Sequence, residues 1–162
     1  MMVSMSSTVD WQVALLDLLN TKPVIDGQSV DQLDGRWLRA HGAGRGADVN
    51  AAQAVRDDLQ RVVRMEADAS VLRRYLTDVR RVPDIGPDGV TWSLEADWSA
   101  RIVLAWGEVE RDMPGRLRPC ANDDCRLFLI DRSRAGTARW CSMGVCGNRM
   151  KARRHYSRTR GD

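Results

Sequence analysis

Residues 120–146 read CANDDCRLFLIDRSRAGTARWCSMGVC, and they hold all four cysteines of the 162-residue chain. The spacing is Cys120-x4-Cys125-x15-Cys141-x4-Cys146. Two close pairs with a short run between them are what a tetrahedral zinc site needs. Each pair turns tightly enough to aim two sulfurs at one ion, and the spacer folds back to bring the pairs together. An even count would also suit two disulfides, and the thiols alone suit redox chemistry or an iron–sulfur cluster. The first residues, MMVSMSS, lack a basic start, a long apolar run and a cleavage site. The expected setting is therefore cytoplasmic and reducing, where disulfides are disfavoured. One structural Zn²⁺ on Cys120, Cys125, Cys141 and Cys146 is the expected cofactor.

Charge divides the chain at the same place. Residues 1–115 carry 13 Lys+Arg against 18 Asp+Glu, a net of −5, whereas residues 116–162 carry 12 against 4, a net of +8. Four thiolates on Zn²⁺ add −2, so the tail stays basic when loaded. A basic block on an acidic domain points to a polyanion partner for the block alone. No apolar stretch approaches the roughly 18 residues of a membrane span, so no membrane partner is expected.

Upstream, periodicity predicts mostly helix with a little sheet. Asp10 to Thr21 reads as a largely buried helix, with Trp11 on its apolar face and Pro23 ending it. Val24-Ile25-Asp26 reads as a short extended link. Ser29-Val30-Asp31-Gln32 fits a capping box for a helix carrying Leu33, Trp37 and Leu38 and stopping at Gly42. His41, at that helix end, is expected to be solvated or bonded to a carbonyl rather than to a metal. Gly42 to Gly46 is a loop. From Asp48 a helix places Ala52, Val55, Leu59, Val62 and Val63 on one stripe. A second stripe, Val71, Leu72, Tyr75, Leu76 and Val79, either continues it or starts afresh with Asp68 as cap, and Pro83 closes the region. Pro87-Asp88-Gly89 signals a turn, and Val90, Trp92 and Leu94 alternate as in a strand with one buried face. A last helix runs from about Glu95 to Asp112. Trp11, Trp37, Trp92, Trp98 and Trp106 are expected in the core, the alternative being the lining of a small-molecule pocket. No phosphate-binding glycine loop, nucleophile elbow or carboxylate pair appears.

Between the cysteine pairs, Leu127 to Ile130 and Ala138 to Trp140 flank a polar, glycine-bearing stretch and are expected to pair as a β-hairpin. Beyond Cys141, Ser142 is the expected N-cap of a helix from Met143 to near Arg158. On it Val145, Arg149, Ala152 and Tyr156 form a face that can pack on the hairpin. Lys151, Arg154 and Arg158 form the opposite, cationic face, with Arg153 and Arg160 to the side. No Asp or Glu occurs from Cys146 to Gly161, which suits a helix lying along phosphates or in a major groove. The expected DNA contacts are Arg149, Lys151, Arg153, Arg154 and Arg158.

The stretch from Cys120 to Arg158 resembles the CGNR zinc-finger family, carrying its WCSMxxCGNR hallmark from Trp140 to Arg149, and Asp131-x-Ser133-Arg134 also fits. Asp17-Leu18-Leu19-Asn20-Thr21, Trp37-Leu38 and the helix from Ala54 to Arg64 resemble, more loosely, the ABATE domain that precedes such fingers. The resemblance implies a bacterial, stress-responsive transcription regulator. In it residues 1–115 form an ABATE-like domain that senses or oligomerises, and residues 116–162 a finger with structural zinc that binds DNA. It assigns the four cysteines as ligands and Asp131, Ser133, Arg134, Trp140 and Asn148 to the structural motif. Arg126-Leu127 departs from it where many members place an aromatic residue.

The expected architecture is α+β: a mostly helical N-terminal domain with a small β element, then a treble-clef-like finger with four cysteine ligands. Three functions compete. A DNA-binding regulator, which a homodimer on two half-sites would suit because one finger offers a small interface, leads. The alternative is a redox- or zinc-responsive thiol switch or protein-interaction module. An enzyme is not expected, because four cysteine ligands leave no open position for water and residues 127–140 contain no histidine.

Overall fold

The structure, a computed structural model, describes residues 9–159, with the side chains of Arg154, Arg158 and Thr159 outside that description. Arg160 and the first residues also lie outside it. The architecture is α+β, with helices and, among the described residues, three two-stranded antiparallel sheets.

Three helices make the body: α1 (Trp11–Leu19), α3 (Val49–Val63) and α4 (Trp98–Asp112). Each starts at an aspartate whose carboxylate accepts from backbone amides of the first turn, namely Asp10, Asp48 and Asp97. Their apolar stripes meet in one core where Leu15, Leu18, Leu19, Val55, Leu59, Ile102 and Val109 are completely buried. Each such side chain contributes about 1.5–3 kcal/mol on burial. Leu117 and Phe128, from the cysteine-bearing segment, belong to this same cluster.

The connections differ from the sequence reading in instructive ways. Val24–Ile25 (β1) and Gln28–Ser29 (β2) form a small hairpin, because Asp26 and Gly27 both take positive φ and turn the chain in two residues. Ser29 is thus committed to a strand and caps nothing. Helix α2 (Gly35–Ala40) is capped instead by Asp34, which accepts from the amide of Trp37 at 2.7 Å. His41 behaves as expected: Nδ1 lies 2.8 Å from the Trp37 carbonyl, and the ring stacks on Trp37. The second stripe after α3 is a separate 3-10 helix, Ala69–Tyr75, capped by Asp68.

Pro83 does not close a helical region. It lies in β3 (Arg80–Gly86), opposite Trp92 of β4 (Gly89–Glu95). Counting from the two-residue turn, Pro83–Trp92 falls at a pair that exchanges no ladder bonds, so the missing N–H faces the open edge. The face of this ribbon expected to be buried is open: Ile85 is 80 %, Val90 60 % and Trp92 56 % exposed. The other four expected core tryptophans, Trp11, Trp37, Trp98 and Trp106, are partly buried against the core.

Candidate metal centre

The cysteine-bearing segment is built on a different hairpin from the expected one. Phe128–Ile130 (β6) pairs with Leu117–Pro119 (β5), and Ala138 to Trp140 form no strand. Leu117 and Phe128 must both reach the core, and that decides the pairing. The loop of this hairpin is the knuckle itself. Cys120 N–H donates to the Leu127 carbonyl at 2.8 Å, and Cys125 N–H to the Asn122 carbonyl at 2.8 Å. Residues 138–140 run alongside, with the Arg139 carbonyl accepting from Ala121 N–H at 2.8 Å.

The second pair enters through the start of the last helix. Ser142 Oγ accepts from Val145 N–H at 3.4 Å, as its expected capping role requires. Met143–Gly147 form a π-helical turn, closed by Gly147 N–H on the Ser142 carbonyl at 3.0 Å, before α5 (Asn148–Thr159) begins. The wider turn fits one more residue per hydrogen bond, matching the four-residue spacer between Cys141 and Cys146. Gly147 is needed for closeness: a Cβ there would lie 3.1 Å from Met143 Sδ and 3.3 Å from Trp140 Cδ1.

The four sulfurs converge, all within 4.8 Å of one another. Cys125 and Cys141 Sγ are 3.7 Å apart, as are Cys141 and Cys146 Sγ. Four sulfurs on one Zn²⁺ at about 2.3 Å would be separated by about 3.8 Å, whereas a disulfide needs about 2.05 Å. The donor set and its spacing therefore fit a tetrahedral thiolate-bound metal.

The surroundings fit it too. Cys141 N–H points at Cys120 Sγ, 3.4 Å away, and Asn122 Nδ2 at Cys146 Sγ, 3.5 Å away. Such donors stabilise thiolate charge and orient the ligands. Asn122 is fully buried, and no pattern in the sequence marks it beyond its place inside the first cysteine loop. Burial pushes the Cys125 thiol up to about 11, and burial with the neighbouring thiols raises Cys141 further. Cys146 is drawn down despite its burial, through Asn122 and the adjacent sulfurs. A divalent cation held there would supply the charge that lets all four ionise together.

Residues 116–159 match the family model of the CGNR zinc finger. No curated protein is a significant match to the chain.

Within the matched segment Asp131 organises the long loop between the cysteine pairs. Its buried carboxylate accepts from Ser133 Oγ at 2.6 Å, Ser133 N–H at 2.9 Å and Ala138 N–H at 3.0 Å, and from Arg118. The Ser133 bonds above all, with Ala138 and Arg118, hold it down at about 2. Gly136 completes the loop at φ +66° with its carbonyl on Arg118 Nη2. Arg134 is exposed and takes no part in these bonds among the described residues. Trp140 is half-buried beside Gly147, with the Arg139 guanidinium over its ring, and Asn148 Nδ2 donates to the Gly144 carbonyl at 3.2 Å.

Helix α5 does not lay a face on the hairpin. Val145, Arg149, Ala152 and Tyr156 are all exposed, and Met150 is the only half-buried side chain described along α5. Arg149 and Lys151 are exposed, whereas Arg153 is drawn back to an ion pair with Asp124 of the knuckle. The side chains of Arg154 and Arg158 lie outside the described residues.

Proposed function

We propose that the chain is a DNA-binding transcription regulator whose structural zinc fixes α5 as the DNA-contacting element. The observation that carries this reading is α5 itself: an acid-free helix, rooted in the Cys141–Cys146 turn, whose described side chains are exposed on every side except at Met150. A solvated helix contributes little to folding, and a wholly cationic one repels itself, so its charge suits an external polyanion. Arg149, Lys151, Arg154 and Arg158 supply the contacts, and Arg153 joins when it leaves Asp124. The knuckle, the loop organised by Asp131 and the helix that brings the last ligands form a treble-clef-like unit. We read residues 1–115 as the ABATE-like part, which receives a signal or sets oligomeric state. We assign no catalysis to the metal, since four cysteine ligands leave no position for water.

The reading places the protein in the cytoplasm. No helix among the described residues is long and apolar enough to cross a membrane. Selection of bound duplexes from a random pool by the zinc-loaded chain tests the reading. Enrichment of one sequence, lost in Cys141→Ser, is the expected result; a pool that neither binds nor enriches contradicts it.

A further inference from the structure

A cleft of about 390 Å³ opens where α3 meets the knuckle, and its charged lining is Lys22, Asp57, Arg61, Arg64, Glu66 and Arg126. The charges there do not balance. Asp57 is engaged by Arg56 Nε at 2.9 Å. Arg61 has only a long ion pair, 3.7 Å from Asp58, whose other oxygen already takes Arg74 and Tyr75. Within the lining, Glu66 is left to offset Lys22, Arg64 and Arg126, none of which has an ion pair among the described residues, while Asp31 acts on Lys22 and Cys125 on Arg64 from outside it.

Arg64 is held ready. Its guanidinium lies 4.5 Å over the centroid of the buried Phe128 ring, and Nη2 donates to the Arg126 carbonyl at 2.8 Å. Nε and Nη1 make no hydrogen bond among the described residues. Burial above all works against its charge, Glu66 opposes that effect, Arg126 adds to it and Cys125 opposes it. A planar guanidinium fixed on an aromatic face, with free N–H groups in a cleft lined by four cations and two carboxylates, is suited to bidentate capture of an oxyanion.

We propose that this cleft binds a phosphate-bearing ligand, with Arg64 and Arg126 on the phosphate and Lys22 and Arg61 at the rim. Its volume falls among those of small-molecule sites, about 300–1,000 Å³, leaving room for more than the phosphate. Because Arg126 follows Cys125 and Arg64 rests on Phe128, an anion here engages α3 and the zinc knuckle together. Binding therefore stabilises their junction. The phosphate belongs either to a small molecule or to a DNA backbone, and the site is distinct from α5.

Titration of the zinc-loaded full chain with inorganic phosphate at constant ionic strength, followed by backbone amide shifts, tests this. Saturable shifts at residues 61–66 and at Arg126 are expected. Arg64→Gln should weaken binding about tenfold or more, as loss of a hydrogen-bonded charge implies. Glu66→Gln should tighten it several-fold, a gain that a damaged fold cannot imitate, and Arg36→Gln, at an exposed cation of α2 outside the cleft, should leave it unchanged. Absence of saturable shifts, no gain in Glu66→Gln, or equal losses in Arg64→Gln and Arg36→Gln would overturn the proposal. Repeating the titration with bound duplex separates the sources: displacement assigns the DNA backbone, and simultaneous binding a small molecule. If the chain binds no duplex, phosphate binding stands by itself and assigns a small molecule.

Discussion

The side-chain amide of Asn20 satisfies both backbone groups of Phe128: Oδ1 accepts from its N–H at 2.7 Å and Nδ2 donates to its carbonyl at 3.2 Å. Asn20 caps the end of α1, and Phe128 opens the strand that leaves the knuckle. One residue thus registers the helical body against the cysteine-bearing hairpin. Asn20→Ala leaves an amide and a carbonyl without partners, and a loss of about 1–3 kcal/mol is expected. Urea denaturation of the zinc-loaded protein measures it. Zinc affinity, read by competition with a chelator, should fall in the same variant, since the strand positions Cys125.

Arg56, only 1 % exposed, anchors the other side of α1. It meets both oxygens of Asp31, at 2.6 and 2.8 Å, and Thr21 Oγ1 at 3.1 Å. Its charge survives burial because Asp31 and Asp57 outweigh the desolvation. Removing one partner of a buried pair costs about 3–5 kcal/mol, and Asp31 is partly exposed, so Arg56→Met should lose about 3 kcal/mol or somewhat less. A double-mutant cycle with Asp31→Asn isolates the coupling.

The same pair sets a pH dependence. The Arg56 hydrogen bonds hold the Asp31 carboxyl below its ordinary 3.8, against its burial. A depressed folded-state pKa contributes stability that is present above the unfolded value and is lost as pH falls through the folded one. Stability should therefore drop below about pH 4, and Asp31→Asn should flatten that part of the profile. A slope unchanged in Asp31→Asn would assign the acid sensitivity to other groups, the metal thiolates foremost.

Gly136 has a backbone that only glycine takes without strain. With φ at +66° and a Cβ placed 2.7 Å from Arg116 Cζ, Gly136→Ala should cost about 1–2 kcal/mol from the left-handed backbone alone. Gly144→Ala, whose Cβ would meet nothing closer than 3.8 Å, should stay within about 0.5 kcal/mol. Thermal denaturation of the two variants provides the comparison.

What was legible in the sequence follows from which forces act locally. The four cysteines, the capping roles of Ser142 and Asp68 and the helices α1, α3 and α4 are local patterns, and they appear close to where spacing placed them. Strand pairing is not local. Phe128 to Ile130 pair backward with Leu117 to Pro119 because the core claims Leu117 and Phe128, and residue spacing between the cysteines does not show that. The alternation of Val90, Trp92 and Leu94 revealed a strand but not that its apolar face stands open. Arg56, Asn20 and Asn122 looked like ordinary polar residues. Their importance lies in partners 24 to 108 positions away.

The ion pair of Arg153 with Asp124 bears on the proposed DNA binding. It ties a cation of α5 back to the knuckle and so withholds it from an external phosphate. Asp124→Asn should release Arg153 and raise DNA affinity, by up to about tenfold near 0.1 M salt if one phosphate contact is gained. Fluorescence anisotropy on a labelled duplex reads the change, and Arg153→Gln should abolish it.

The most direct measurement is the salt dependence of DNA affinity for the chain with zinc bound and after zinc is removed. If the metal fixes α5 and about five of its cations meet phosphates, log K should fall with log salt at a slope of about −4 to −5 for the zinc-loaded protein. Affinity should be largely lost on chelation. An affinity indifferent to salt, or equal binding with and without zinc, would contradict the reading of the cysteine centre as the anchor of a DNA-contacting helix.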